Sequence, residues 1–219
     1  MLPPPVKKIV LRRCCGARIE PTARLAWFSA VVGETIEIGH FATVRAFSLI
    51  RCSGTVRIGP GAEVSSFVLV YGVADFCIGA HAYVGPQSLI NATETVSIGE
   101  HSAIGPRTMI FTHGSFLPYT DGYPVTFGPV TIGDHTWVAA AVFIHPGVTI
   151  GNHVFVNSRA VVREDLPDGV VAEGHPATIV AKMSDIRRSM TAPRMRAAVA
   201  QILDRFVDTV LRRELRVDD

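Results

Sequence analysis

Residues 129–151 read PVTIGDHTWVAAAVFIHPGVTIG, and an apolar residue returns there at every sixth position. The spacing extends beyond both ends of this segment, at Ile98, Ile104, Ile110, Val156 and Val162. A helix would repeat apolar residues at steps of three and four, and a half-buried strand at every second residue. A period of six instead predicts short strands joined by tight corners, with three strands closing one turn of a solenoid.

A longer period accompanies the short one. The pair Ile-Gly begins at Ile38, Ile58, Ile78 and Ile98, at intervals of 20 residues, and returns at 132 and 150 after gaps of 34 and 18. Three six-residue repeats account for 18 residues, so each 20-residue coil carries two extra residues at a corner. Stacked coils would pair at about 4.8 Å and bury a continuous apolar column, for which valine and isoleucine are well suited. The sequence therefore predicts an all-β solenoid.

The repeats divide the chain into three parts. Residues 1–35 are expected to form an amino-terminal cap, with or without an irregular first coil, and residues 36–183 the solenoid. Residues 184–219 are expected to form a helical extension, because Pro193 to Leu215 repeats apolar residues at three and four. The apolar positions are Met195, Val199, Ile202, Phe206, Val210 and Leu211. We expect a cap or subunit contact for this helix.

Composition narrows the possible functions. The chain has 219 residues, 48% apolar and 18% charged, with a formal charge of +2. These values predict a packed core and argue against nucleic-acid binding. No apolar run reaches the roughly 18 residues of a membrane span, and the start of the chain is a poor signal peptide. Four cysteines lack zinc-site spacing, so we expect reduced thiols in a cytoplasmic protein.

The 34-residue gap equals one 20-residue coil plus 14 extra residues. Because the repeat resumes in register, the extra residues should loop out from a corner just after Ile110, over about 112–129. Function often lies on such excursions, since the rigid coil positions their base. His113 is three residues past Ile110. We therefore expect the scaffold to hold this histidine.

The dense repeat over roughly residues 36–180 resembles the hexapeptide-repeat acyltransferases, whose fold is a left-handed parallel β-helix. Within that family, the segment Ile110-Phe-Thr-His113 and residues 129–151 are similar to the maltose and galactoside O-acetyltransferases. Trp137 and the run from Pro146 to Gly151 keep that family's order and spacing. The closing segments, Asp165-Leu-Pro and Gly174-His-Pro-Ala177, match as well.

The resemblance implies an enzyme that transfers an acyl group, most simply acetyl from acetyl-coenzyme A, to a hydroxyl of a saccharide or similar small molecule. It makes His113 the general base, because a neutral imidazole can take the hydroxyl proton. The backbone N–H of Ala140 would stabilise the oxyanion. Trp137 and Ala139 would border the donor channel, and Ser158 would contact coenzyme A. The family also implies a homotrimer, and no metal.

Other positions depart from the family pattern. Two family cations are missing near the nucleotide end, where Arg163 and Lys182 are the candidate replacements, or else ordinary surface cations. The acceptor side has no clean match in residues 83–91. Asn91, one coil below the loop, is a candidate for substrate contact or a corner residue, and Asp121 could shape the acceptor pocket.

Three alternative functions remain open: N-acetylation of an amino sugar, a zinc enzyme similar to carbonic anhydrase, and a silent scaffold. Four histidines occupy the third position after the isoleucine of an Ile-Gly pair: His81, His101, His135 and His153. This position is a coil corner, where histidine tolerates unusual backbone angles. A structural role is therefore expected for these four. The zinc class places two histidines five residues apart, whereas Thr108 and Pro118 flank His113 at that distance.

Overall fold

The computed structural model describes residues 3–114 and 118–208. In this part of the chain, three sheets form the sides of a prism, and successive strands visit sheets A, B and C in turn before the next coil begins. The architecture is the predicted left-handed parallel β-helix, with about 8 turns. All pairings in the three sheets are parallel except the last pair of sheet B, which is antiparallel.

The strands are two to six residues long, as a six-residue period requires. Sheet A contains β1 (Arg18–Ile19), β4 (Thr35–Ile38), β7 (Thr55–Ile58), β10 (Phe76–Ile78), β13 (Val96–Ile98), β18 (Val130–Ile132) and β21 (Thr149–Ile150). Sheet B contains β2 (Arg24–Leu25), β5 (Thr43–Val44), β8 (Glu63–Val64), β11 (Tyr83–Val84), β14 (Ala103–Ile104), β19 (Trp137–Val138), β22 (Phe155–Val156), β24 (Val170–Gly174) and β25 (Ala177–Lys182). Sheet C contains β3 (Ala30–Val32), β6 (Leu49–Cys52), β9 (Leu69–Gly72), β12 (Leu89–Ala92), β15 (Met109–Phe111), β20 (Phe143–Ile144) and β23 (Val161–Val162).

The six-residue period places its apolar residues in the interior. Ile58, Val64 and Val70 point inward from the three sheets of one coil and are buried. Equivalent residues stack in register, so that Ile78 pairs with Ile58 below it and Ile98 above it. Burying one such side chain stabilises the fold by about 1.5–3 kcal/mol. The stacked columns therefore form the core.

The corner between sheets A and B has a left-handed backbone. His81, His101, His135 and His153 occupy it with φ of 54–55°. Their rings stack with centroids 5.0 Å apart. The predicted corner positions of these histidines are confirmed. At the corner between sheets B and C, three exposed phenylalanines stack in the same way: Phe28, Phe47 and Phe67.

The corner between sheets C and A carries the irregularities of the repeat. Ile38 to Val44 and Val44 to Ile50 are six residues each, whereas Ile50 to Ile58 is eight, which locates the two extra residues of a 20-residue coil. The loop leaves from this same corner. Its base is closed by Gly128 N–H, which donates to Thr112 O at 3.0 Å, and by antiparallel pairing of β16 (His113–Gly114) with β17 (Thr126–Phe127). The predicted loop is confirmed, and a 3-10 turn (Tyr119–Asp121) lies within it.

Residues 1–35 contain both a helix and a first coil. Helix α1 (Pro4–Cys14) packs on β1 and β2. Lys7 is only 8% exposed, and its ammonium donates to Ala26 O, Ser29 O and Ser29 Oγ at 2.8, 2.6 and 3.0 Å. Burial lowers the pKa of Lys7. Because all three N–H donors have partners, α1 caps the first coil without leaving a buried charge unsatisfied.

The chain divides into two compact units, Met1–Ser184 and Asp185–Asp219. After the short helix α2 (Met183–Ile186), the second unit contains helix α3 (Ala192–Phe206), whose apolar residues Met195, Val199, Ile202 and Phe206 are exposed. Val210 and Leu211, which the sequence also assigns to the helix, lie outside the described residues. None of the described helices is long and apolar enough to cross a membrane.

Candidate active site

His113 lies at the base of the loop, where the solenoid positions it. Ile110 of β15 is fully buried in the core, and His113 follows three residues later. The backbone of His113 pairs with that of Phe127 in the returning strand of the loop. Two aromatic rings lie near the imidazole, with their centroids 6.1 Å (Phe127) and 6.5 Å (Phe111) from its own. The coil and the loop together therefore determine the position of the ring.

The imidazole is oriented by the coil below it. Nδ1 of His113 lies 2.8 Å from Oδ1 of Asn91 and 3.3 Å from Oγ1 of Thr93. Asn91 is 1% exposed and pairs in register with Phe111. The amide of Asn91 thus faces the histidine from within the protein.

Backbone contacts identify the Asn91 atom that faces the histidine as the amide oxygen. The backbone N–H of Thr93 donates to Asn91 Oδ1 at 3.3 Å, and the hydroxyl of Thr112 lies 3.1 Å from it. Since an N–H group must find an acceptor, this atom is the oxygen and not the nitrogen of the amide. Nδ1 of His113 therefore carries the proton, and Nε2 has the free lone pair that a base requires.

Sequence reasoning missed three residues of this cluster: Thr93, Thr112 and Phe127. The 20-residue period contains a signal for Thr93, which stands 20 positions before His113. Thr112 is fully buried and accepts the backbone N–H of Glu94 at 2.9 Å, so it fastens the loop base to the coil below. Phe127 could not be identified from the period, because it lies inside the insertion.

A second group of predicted residues surrounds a cavity of about 290 Å³ on the outer face of sheet B. Trp137, Ala139, Ala140 and Ser158 all line it, as does Tyr83. The indole of Trp137 is 58% exposed and meets Phe155 edge to face at 6.4 Å. The small side chains beside an exposed indole leave an open slot, as an extended thioester arm would need.

Ala140, which lines this cavity, has a backbone N–H without an acceptor among the described residues. Ala139 N–H donates to Val156 O and Ala141 N–H donates to Pro106 O, each at 2.9 Å. The N–H of Ala140, between them, donates to none of the described residues. Pro86 and Pro106 occupy the same corner position in the two coils below, so this position needs no N–H to hold the coil together. The donor at Ala140 is thus available to a ligand.

The two groups stand at opposite edges of sheet C. In the register of β15 with β20, His113 lies level with Gly147, seven residues after Ala140. At about 3.3 Å per residue, seven extended residues span roughly 23 Å, and somewhat less where the chain turns at the two corners. One chain alone therefore does not bring His113 and Ala140 to a single reacting atom.

The remaining predicted residues lie apart from the donor cavity. Arg163 and Lys182 are exposed, and Arg163 follows β23 at the same corner as His113. Asp121 is exposed in the 3-10 turn, where Thr120 Oγ1 donates to its carboxylate at 3.4 Å. The roles assigned to these three residues and to Asn91 at the substrate stay predictions.

One further histidine near this corner is electrostatically perturbed. Burial, together with the neighbouring Arg163 and His175, lowers the pKa of His145 below its usual value. The ring of His145 packs against Phe143 at 4.9 Å, and Phe143 stacks on Phe111 at 5.5 Å. His145 therefore belongs to an aromatic surface that extends from His113 through Phe111 and Phe143.

The described residues give little support to a metal-dependent reaction or to a cysteine nucleophile. No group of three or more His, Cys, Asp or Glu in residues 3–114 and 118–208 is placed to hold a metal. The four stacked histidines are 5.0 Å apart, whereas two nitrogens on one zinc lie at most about 4 Å apart. Burial raises the pKa of Cys52 to about 11 and also raises that of Cys77, which disfavours a thiolate nucleophile.

In a comparison with known sequences, residues 129–164 match the family model described as bacterial transferase hexapeptide (six repeats). The resemblance to hexapeptide-repeat acyltransferases is thereby confirmed. The galactoside O-acetyltransferase of Escherichia coli K12 is 39% identical over 57 residues, which cover 26% of this chain and 28% of that enzyme. The matches span 28–39% of the length of the curated relatives.

Solved structures share the fold over a larger part of the chain. The N-acyltransferase AntD from Bacillus cereus, in complex with dTDP and 3-hydroxybutyryl-CoA, has a TM-score of 0.56 at 16% identity, covering 81% of this chain and 92% of its own. A variant of AntD in complex with dTDP-4-amino-4,6-dideoxyglucose and coenzyme A has a TM-score of 0.57 at 15% identity, covering 90% and 96%. At these identities the likeness establishes the fold alone.

Proposed function

We propose that the protein is an acyltransferase that moves an acetyl group from acetyl-coenzyme A to a hydroxyl of a saccharide acceptor. The observation that supports this most directly is the contact between Asn91 Oδ1 and His113 Nδ1, which leaves Nε2 as a base at the mouth of the loop. The acyl donor rests on the sequence match to acetyltransferases and on the open slot beside Trp137.

In the proposed reaction, Nε2 of His113 takes the proton of the acceptor hydroxyl as its oxygen forms a bond to the thioester carbonyl carbon. The N–H of Ala140 donates to the carbonyl oxygen while that oxygen carries negative charge. When the carbon–sulfur bond breaks, the imidazolium of His113 returns the proton to the departing sulfur. The products are the acetyl ester and the free thiol, and the enzyme is unchanged.

The separation of His113 from Ala140 supports an assembly in which neighbouring copies share each site. The outer face of sheet C presents exposed apolar side chains: Val32, Leu49, Leu69, Tyr71 and Met109. A second copy packed on this face would cover them and could set the Ala140 edge of one chain against the His113 edge of another. We propose the homotrimer implied by the resemblance, with one site at each interface.

The decisive experiment is release of free thiol from acetyl-coenzyme A over a panel of neutral sugars, acidic sugars and amino sugars. We expect at least a hundredfold loss of rate in His113→Ala, the lower range for a positioned base. His153→Ala is the matched control, because His153 is a corner histidine outside this cluster. An unchanged rate in His113→Ala would remove the histidine from the mechanism.

The same panel separates the alternatives. Product from an amino sugar but from no hydroxyl acceptor would assign N-acylation instead. Stoichiometric zinc in the purified protein would favour the metalloenzyme, and complete inactivity in every arm would favour a scaffold. The cytoplasmic localisation expected from the sequence stays a prediction.

A further inference from the structure

A second cavity, of about 620 Å³, lies between α1 and the outer face of sheet B in the first coils. Its apolar lining includes Pro4 and Pro5 of the helix together with Ala26 and Ala46 of the coils. A volume of this size can hold a small molecule or one end of a longer one. None of the roles proposed above uses this cavity.

The charges around the cavity are cationic and only partly balanced. Arg45 is paired with Glu63, whose two oxygens accept from its Nε and Nη2 at 2.7 and 3.0 Å. Lys8 uses two of its three donors on Pro21 O and Ala23 O, both at 3.0 Å. The guanidinium of Arg24 has no hydrogen-bond or ion-pair partner in the described part of the chain. An anion in the cavity would thus meet Arg24 and the remaining donor of Lys8.

The cavity shares one edge of the solenoid with the donor slot. Ala46 and Ser66 line the cavity, and Ala140 and Ser158 occupy the same corner position in later coils and line the slot. Pro86 and Pro106 stand between them. With coils about 4.8 Å apart, three coils or roughly 14 Å separate Ser66 from Ala140. A ligand lying along this edge could reach both places.

We propose that this cavity binds an anionic group of the acceptor, a carboxylate or phosphate on a saccharide, while a hydroxyl further along the molecule is acylated. This proposal rests on the proposed acyltransferase function, because it assigns the anion to the acceptor. Its test measures binding alone and needs no acyl transfer. Arg24 supplies charge-assisted hydrogen bonds, which are the stronger kind, and the apolar lining packs against the sugar body. The acceptor is therefore elongated and acidic.

Isothermal titration of the full chain without any acyl donor tests the proposal. The probes are tetragalacturonate for the carboxylate, glucose 1-phosphate for the phosphate, and maltotetraose as the neutral reference. We expect saturable binding of at least one anionic probe, weakened at least about tenfold in Arg24→Gln. The matched control is Arg18→Gln, an exposed arginine of the same first coil on sheet A, which should bind as the wild type does.

Each outcome bears on the proposal. Preference for one anionic probe supports it and identifies the group, and weaker binding at higher salt supports it further. Equal binding of maltotetraose, no binding of either anion, or unchanged binding in Arg24→Gln would overturn it. Because the titration measures no acyl transfer, a negative result here does not affect the thiol-release result. Conversely, a protein that binds anions through Arg24 but releases no thiol would contradict only the proposed function.

Discussion

The amide oxygen of Asn91 lies 2.8 Å from Nδ1 of His113, although the two residues are 22 positions apart in the chain. The contact exists because the coils stack in register, with Asn91 beside Phe111 and the loop leaving two residues later. The backbone N–H of Thr93 and the hydroxyl of Thr112 donate to the same amide oxygen. A buried amide thus sets which nitrogen of the imidazole is free.

Replacing Asn91 should alter the base without removing it. Asn91→Ala should lower kcat by about ten- to hundredfold, because the imidazole loses the partner that orients it. Asn91→Asp should keep more activity, since a carboxylate oxygen can still accept from the Nδ1–H of His113. Steady-state kinetics of the two variants, with circular dichroism as the check on folding, measure the effect. An unchanged kcat in a folded Asn91→Ala protein would show that the contact does not act on the base.

Replacing Ala140 by proline should remove the proposed oxyanion donor and preserve the coil. Pro86 and Pro106 already occupy the equivalent corner, and the Ala140 N–H has no partner in the described chain. We expect a loss of about 10²–10³ in kcat, the effect of one oxyanion donor, with little change in thermal unfolding. Retained activity in a folded Ala140→Pro protein would assign the oxyanion to another group.

A methyl group at Gly72 should disturb the site from one coil below. A Cβ there would come within 2.0 Å of Ala92 O, next to Asn91. We expect Gly72→Ala to cost roughly 1–3 kcal/mol in denaturant unfolding, the range for overpacking, and to lower activity. Gly114→Ala is the stability control, because none of the residues that the structure describes lies within 4 Å of the Cβ position. Equal stability of the two variants would contradict the close packing of these coils.

The corner histidines should be replaceable by asparagine but not by valine. His101 has φ of 55°, where a β-branched side chain is strained and asparagine is tolerated. We expect His101→Val to lose about 1–2 kcal/mol of unfolding free energy and His101→Asn to lose little. Chemical denaturation of the two variants gives the comparison. Loss of catalytic activity in a stable His101→Asn protein would instead indicate that the stacked corner histidines have a functional role.

Acid should destabilise the wild type through His145. Burial, with Arg163 and His175, holds the pKa of His145 below its ordinary value of 6.5, so the folded state favours the neutral ring. As pH falls below 6.5 the unfolded chain takes up this proton first, and stability decreases until the folded pKa is passed. The difference in Tm between His145→Asn and wild type should therefore increase from pH 7.5 to pH 5. A constant difference would show that His145 does not titrate in this way.

The location of the base was predictable because the loop begins at a defined point in the repeat. The six-residue period located Ile110 in the core, and the intact repeat after the insertion required the loop to return to the same corner. His113 followed from that arithmetic. The period could not predict Phe127, because residues inside the insertion obey no repeat.

The sequence by itself determined the solenoid, its three sheets, the loop and the corner positions of the four stacked histidines. These features depend on local physics: apolar periodicity decides which side chains are buried, and backbone sterics decide which residues turn a corner. Only the tertiary structure decided that Asn91 orients the imidazole, that Lys7 anchors the capping helix α1 to the first coil, and that His113 and Ala140 lie on opposite edges. Those relationships depend on the register between neighbouring coils and on side-chain direction, which no local pattern encodes.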